Sequence, residues 1–249
     1  SACTSTIGAS GQLSRQNSEL AFLRPWFSRR HEEEMKILTV SDKVDELVYS
    51  AAIKRLFGDV DLVLGCGDLP HYYLEFIVTM LGGPLFYVIG NYATAVKTRY
   101  GPRSEWAYPG GCENLDGRIV RYNRLLVAGL EGSMRYNRNL DFQCTDREMA
   151  RKVWQLVPGM LVNKLLYGRY LDILITHAPP RGIHDGSDRC HQGFGAFLFL
   201  MDRFRPRYLV HGHVHVYSPR QAVESVYGST NVINTYGYRT LEIDEDTLR

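Results

Sequence analysis

The chain has 249 residues, is 45% hydrophobic and 22% charged, and carries a formal net charge of +2. That length builds one sizeable core rather than two, and the near balance of charge excludes a strong field for coating nucleic acid or a membrane surface. No apolar run approaches the roughly 20 residues that span a bilayer, and five scattered cysteines with no Cys-x-x-Cys pair (Cys3, Cys66, Cys112, Cys144 and Cys190) point to reduced thiols and a cytoplasmic setting.

Residues 1–34 are rich in Ser, Gly and Gln, then in Arg and Glu, without hydrophobic periodicity, and read as a flexible extension ahead of a folded unit spanning 35–249. A strand over 37–40 is followed by a predicted helix over 44–57 with Leu47, Val48, Ala51, Ala52 and Leu56 on one face. A second strand, 62–64, runs into Gly65-Cys66-Gly67-Asp68. A helix over 72–81 then leads to a strand over 85–89 that stops at Gly90-Asn91. Continuous apolar runs alternating with helices predict a sheet buried on both faces.

Residues 92–117 form a long connection holding Lys97, Arg99, Tyr100, Arg103, Trp106 and Tyr108, and connections of that length inside compact domains are usually functional or disordered. Two meander strands follow at 118–122 and 125–128, then a loop over 131–143 with Arg135 and Arg138. Thr145-Asp146-Arg147-Glu148 is a capping box opening a helix with Met149, Val153 and Leu156 inward. Pro158-Gly159 is expected to break that helix, with a second piece running to Tyr167. A strand over 171–176 delivers His177, and after a polar loop a helix carries Phe194, Phe197, Leu198, Met201 and Phe204 inward. The strand at 208–211 ends in Gly212-His213-Val214-His215, and strands over 232–237 and 240–243 close the chain.

Ligands in open α/β sheets bind beyond the carboxyl ends of the strands. The residues there are Asp42, Asp68, Asn91, His177, His213 and His215. Oxygen and imidazole donors without thiolate suit one or two divalent ions such as Mn, Fe, Zn or Mg, not a closed structural zinc.

In this order Asp42, Gly67-Asp68, Gly90-Asn91, His177 and Gly212-His213-Val214-His215 resemble the motifs of the calcineurin-like metallophosphoesterase superfamily. The resemblance implies a four-layer αββα sandwich with mixed sheets. It also implies a two-metal site in which Asp68 bridges, Asn91, His177 and His213 complete one ion, and Asp42 with His215 belong to the other. The implied activity is hydrolysis of a phosphomonoester or phosphodiester, on a phosphorylated small molecule, by attack of metal-bound hydroxide.

Two positions depart from the family pattern: Val44 stands where a ligating histidine is usual, and Tyr92 where the proton-donating histidine is usual. An alternative reading is therefore a degenerate member that binds metal and a phosphorylated ligand without turnover. Asp45 could stand in for the missing ligand or simply complement a helix dipole. His71 and His211 are the candidate proton donors within reach of the motifs. Tyr92, Arg99 and Arg135 are candidate substrate contacts, since arginine clamps phosphate oxygens. Oligomeric state is not written in any of these patterns.

Overall fold

The computed structural model describes residues 34–92, 108–138 and 141–244. Arg99, Arg103 and Trp106, like the 1–34 extension apart from Glu34, lie outside the described residues.

The elements run β1 (Glu34–Ser41), α1 (Ile53–Phe57), β2 (Leu62–Gly65), α2 (His71–Leu81), β3 (Leu85–Tyr87), β4 (Glu113–Asn114), β5 (Ile119–Tyr122) and β6 (Leu125–Leu130). They continue with β7 (Ser133–Met134), β8 (Gln143–Cys144), α3 (Asp146–Tyr167), β9 (Ile173–Thr176), α4 (Gly195–Phe204), β10 (Tyr208–His211), β11 (Glu224–Tyr227), β12 (Thr230–Asn234) and β13 (Gly237–Asp244). One sheet has the order β13-β1-β2-β3-β4 and the other β11-β12-β10-β9-β6-β5, with β7-β8 as a separate pair. Both large sheets are mixed: β1 to β4 are parallel with β13 antiparallel, and β6, β9, β10 and β12 are parallel with β5 and β11 antiparallel at the edges.

Strand periodicity explains the layering. Successive side chains point to opposite faces, so Ile37, Leu62, Leu64, Val127, Ile173 and Val210 meet between the two sheets. Their neighbours Leu38, Val63 and Leu85 face outward onto α1 and α2, while Leu126, Leu174 and Leu209 pack under α3 and α4. Two sheets buried on both faces and flanked by helices make the four-layer αββα sandwich.

Three local expectations change. The helix over 44–57 shrinks to α1, because Asp45 Oδ1 accepts the Leu47 N–H at 3.0 Å, Ser50 Oγ accepts the Ala52 N–H at 3.2 Å, and Ser50 donates to the Leu47 carbonyl at 3.0 Å. These short side chains compete with the helical ladder, and Leu47, expected inward, is exposed. Conversely α3 runs unbroken through Pro158. Pro158 sits on the solvent-exposed face, while Leu156 and Met160 anchor the helix on either side. The loop over 131–143 contains β7 and pairs with β8, and β11 is an additional edge strand. Among the described residues no helix is long and apolar enough to cross a membrane.

Candidate metal centre

The carboxyl ends of β1, β2, β3, β9 and β10 meet along one crest, and short backbone bonds tie them together. Asp42 N–H donates to the Gly67 carbonyl at 3.1 Å, Gly212 N–H to the His177 carbonyl at 3.1 Å, and Gly132 N–H to the Ile89 carbonyl at 2.9 Å. Asp42, Asp68 and His213 all adopt positive φ (62°, 54° and 67°). For non-glycine residues that conformation costs on the order of 1 kcal/mol each and gathers at functional sites. The approach is close enough that a Cβ on Gly90 would overlap the Asp68 carboxylate, and one on Gly212 would overlap Ser41 Oγ and Asp42 Oδ2. Glycine is required at both.

Four of the predicted residues converge. His177 Nε2 lies 3.0 Å from Asn91 Oδ1, 3.0 Å from His213 Nδ1 and 3.3 Å from Asp68 Oδ2. The opposite ring nitrogens are committed: His177 Nδ1 donates to the Cys66 carbonyl at 2.9 Å and His213 Nε2 to the Cys190 carbonyl at 2.8 Å. Asn91 Nδ2 donates to the Tyr136 hydroxyl at 3.3 Å, which turns Oδ1 inward. With both imidazoles neutral, the four inward atoms are all electron-pair donors, and outer partners that fix ring orientation in this way are characteristic of metal ligands.

The electrostatics agree. Burial disfavours charge on His177, but Asp68 and its hydrogen bond outweigh that and bring the imidazole to about 9. Burial together with the neighbouring His177 drives His213 down to about 3. Burial works against the Asp68 carboxylate as well, yet His177 leaves it below the usual range. In the metal-free protein a proton on His177 thus occupies the position of positive charge that a cation would take. Asp68, His177 and His213 each offer a ligand atom within 4.8 Å of the others.

Asp42 and His215 form a looser neighbour. Asp42 Oδ2 accepts from Ser41 Oγ at 2.6 Å and from the His213 N–H at 2.9 Å, whereas Oδ1 is buried with no hydrogen-bond partner. Burial raises the Asp42 pKa. An orphaned carboxylate oxygen with His215 Nε2 at 3.9 Å from it fits a second cation. His215 is half exposed, its Nδ1 is 2.8 Å from the Tyr217 hydroxyl, and its ring lies against Tyr236. Val44 packs against the outer core under α1 and α2, and Asp45 binds its own turn and Lys43, 3.8 Å away. Neither joins the donors.

The candidate proton donors and substrate contacts are dispersed. His71 opens α2 and shares a pocket with Asp68, Gly90 and Tyr92; burial lowers its pKa, so it is neutral at physiological pH. His211 is wholly buried, with Nδ1 bonded to the Gly212 carbonyl and Nε2 3.1 Å from His184 Nδ1, and burial brings it to about 3. It has neither a path to a substrate nor a proton to give, which corrects its assignment as an acid. Arg135 is tied to Glu148 at 2.9 Å and to the Gln143 carbonyl at 3.4 Å, so its guanidinium braces the start of α3 instead of facing the donors. Tyr92 donates its N–H to Asp68 Oδ1 at 2.9 Å and leaves its ring 65% exposed at the rim.

Sequence reasoning did not find Tyr136, Ser41, or the carbonyls of Cys66 and Cys190. It also left His191 in a loop. His191 lies against His213, ring centroids 5.1 Å apart, and its Nδ1 is 2.8 Å from Asp188 Oδ2. The one signal available was an Asp and a His three apart in the loop after His177.

The sequence matches the family model described as calcineurin-like phosphoesterase over residues 35–217. No curated protein matches it. Among solved structures, the chain is similar to TT1561 of Thermus thermophilus (14% identity, 86% of this chain and 96% of that one, TM-score 0.53). It is also similar to GAP50 of Plasmodium, the anchor in the inner membrane complex (12% identity, 86% and 82%, TM-score 0.49), and to vacuolar protein sorting 29 of Cryptosporidium parvum (11% identity, 86% and 87%, TM-score 0.42).

Proposed function

Because the chain belongs to the calcineurin-like phosphoesterase family, we propose that it is a metal-dependent phosphoesterase acting on a phosphorylated small molecule. In this reading Asp68, Asn91, His177 and His213 hold one divalent ion firmly, and Asp42 and His215, with Asp68 shared, hold a second weakly. The observation that carries it is the convergence of Asn91 Oδ1, His213 Nδ1 and Asp68 Oδ2 at 3.0 to 3.3 Å from His177 Nε2. Divalent ions bound there would supply Lewis-acid charge for the phosphoryl oxygens and acidify a nucleophilic water.

The chain's own residues do the rest. The carbonyls of Cys66 and Cys190 orient His177 and His213, and Tyr136 orients Asn91. Asp188 anchors His191 Nδ1, which leaves Nε2 as the nitrogen that exchanges a proton with the leaving group in place of the histidine absent at position 92. Tyr92 and His71 line the substrate side of Asp68.

The test is hydrolysis of bis(p-nitrophenyl) phosphate by the full chain with Mn2+. Activity abolished by Asn91→Ala, and a His191→Ala variant impaired far more on alkyl than on aryl esters, are the expected results. Activity indifferent to Asn91→Ala rejects the site.

A second reading rests on Val44 and the exposed ring of Tyr92: a member that binds metal and a phosphorylated ligand without turnover. Tight Mn2+ and phosphate binding with no hydrolysis of any ester would favour it.

A further inference from the structure

The polar loop between β9 and α4 brings a thiol to the crest. Cys190 Sγ and one ring nitrogen from each of His191 and His213 lie within 4.8 Å of one another. Of the six donors read at the strand ends, only His213 belongs to this group.

Hydrogen bonds within the loop fix its shape. Asp188 Oδ1 accepts the Cys190 and His191 N–H groups at 3.0 and 3.2 Å, Gly186 N–H donates to the His191 carbonyl at 2.9 Å, and Arg189 Nε donates to the Arg135 carbonyl at 2.9 Å. Asp188 Oδ2 takes His191 Nδ1–H at 2.8 Å, the carboxylate–imidazole pairing that leaves Nε2 as a ligand. Cys190 and His191 are both partly exposed, so an ion reaches them from solvent.

A thiolate with two imidazoles favours zinc or cadmium over the harder manganese or magnesium. Three protein ligands with a further position open to solvent make an exchangeable site rather than a closed structural one, and coordination sends the thiol proton to solvent. The shared ring sets a constraint, because a neutral imidazole has one lone pair. His213 turns Nδ1 to His177 and Nε2 to the Cys190 carbonyl. An ion at Asp68 takes Nδ1 and needs the proton on Nε2. An ion at Cys190 takes Nε2, replaces the bond to the carbonyl, and needs the proton on Nδ1.

We propose that Cys190, His191 and His213 form a separate site for a thiophilic divalent cation of the zinc and cadmium class, whose occupation withdraws His213 from the ion at Asp68. The exclusion rests on the ion proposed at Asp68; the thiolate site does not.

Cadmium added to the metal-free full chain should produce, with the first equivalent, the ultraviolet absorption of a cadmium–thiolate bond, and Cys190→Ser should remove it. His191→Ala should weaken the same titration by about a hundredfold. Saturating Mn2+ should move its midpoint to higher cadmium, and cadmium should weaken Mn2+ binding by the same factor. Unchanged circular dichroism spectra in both variants place these losses at the ligands. Absence of the absorption, its retention in Cys190→Ser, or an affinity unchanged in His191→Ala would overturn the site. A midpoint indifferent to Mn2+ that calorimetry shows to be bound would overturn the exclusion. The absorption reads cadmium whether or not the chain hydrolyses esters, so a failed phosphoesterase assay leaves these outcomes intact.

Discussion

The two halves of the donor crest are built differently. Around Asp68 the nearest inward atoms are 3.0 to 3.3 Å apart, and the back of each imidazole is held by a carbonyl. Around Asp42 a single buried oxygen lacks any partner, the nearest imidazole is 3.9 Å away, and that imidazole is half exposed beyond the end of β10. His177 and His213 are each held from behind by a backbone carbonyl, whereas His215, four positions beyond the end of β10, leans on the hydroxyl of the exposed Tyr217. Replacing the usual histidine by Val44 therefore leaves the second half with its carboxylate intact but its geometry open.

The largest break in this contrast is expected from the tight half. His213→Ala or Asp68→Ala should weaken Mn2+ binding by more than the roughly 10- to 100-fold that loss of an outer partner costs, and abolish hydrolysis; isothermal titration and ester assays check both.

Next is pH. The His177 pKa is raised to about 9, so in the metal-free protein its contribution to stability is complete below its unfolded value and is lost as pH rises through about 9. His211 and His213 are both depressed to about 3, so unfolding gains a proton at each once pH falls below about 6.5. Each slope is on the order of 1.4 kcal/mol per pH unit, and the metal-free melting temperature should therefore peak near pH 6.5. A cation displaces the His177 proton, so Mn2+ binding at pH 7 should release about one proton and strengthen about tenfold per pH unit up to about 9. Calorimetry in buffers of different ionisation enthalpy measures that release.

Smaller changes are expected from the loose half. Asp42→Asn removes a buried carboxylate charge whose Oδ1 has no hydrogen-bond partner, while keeping an oxygen for Ser41 and the His213 N–H. It should stabilise the metal-free protein by about 1 kcal/mol, read by urea denaturation, while leaving the tight ion in place. The smallest effect is a gain: Val44→His should strengthen a second ion about tenfold, measured by equilibrium dialysis, against some loss of packing under α1.

The same contrast explains how much was legible in the sequence. Apolar runs such as 62–64 and 173–176 with a polar residue following them predict both the doubly buried sheets and the ligand at each tip, because only a strand covered on both sides tolerates such a run. Asp68, Asn91, His177 and His213 were readable for that reason. Backbone contributions were not: no residue type announces that the Cys66 and Cys190 carbonyls select histidine tautomers, or that His211 turns inward to His184. The helix expected from Val44 failed because Asp45 and Ser50 satisfy local backbone groups. The break expected at Pro158 failed because a proline facing water leaves the packing of Leu156 and Met160 intact. Tyr136 reaches Asn91 from a loop whose course follows from β7 and β8, two-residue strands too short to leave a periodic trace.

The unequal crest is tested most directly by titrating Mn2+ into the metal-free full chain. One tightly bound ion per chain, lost in His213→Ala and kept in Asp42→Asn, followed by a second much weaker ion that Asp42→Asn removes, is the predicted result. Two ions of equal affinity, or binding that survives His213→Ala, would contradict it.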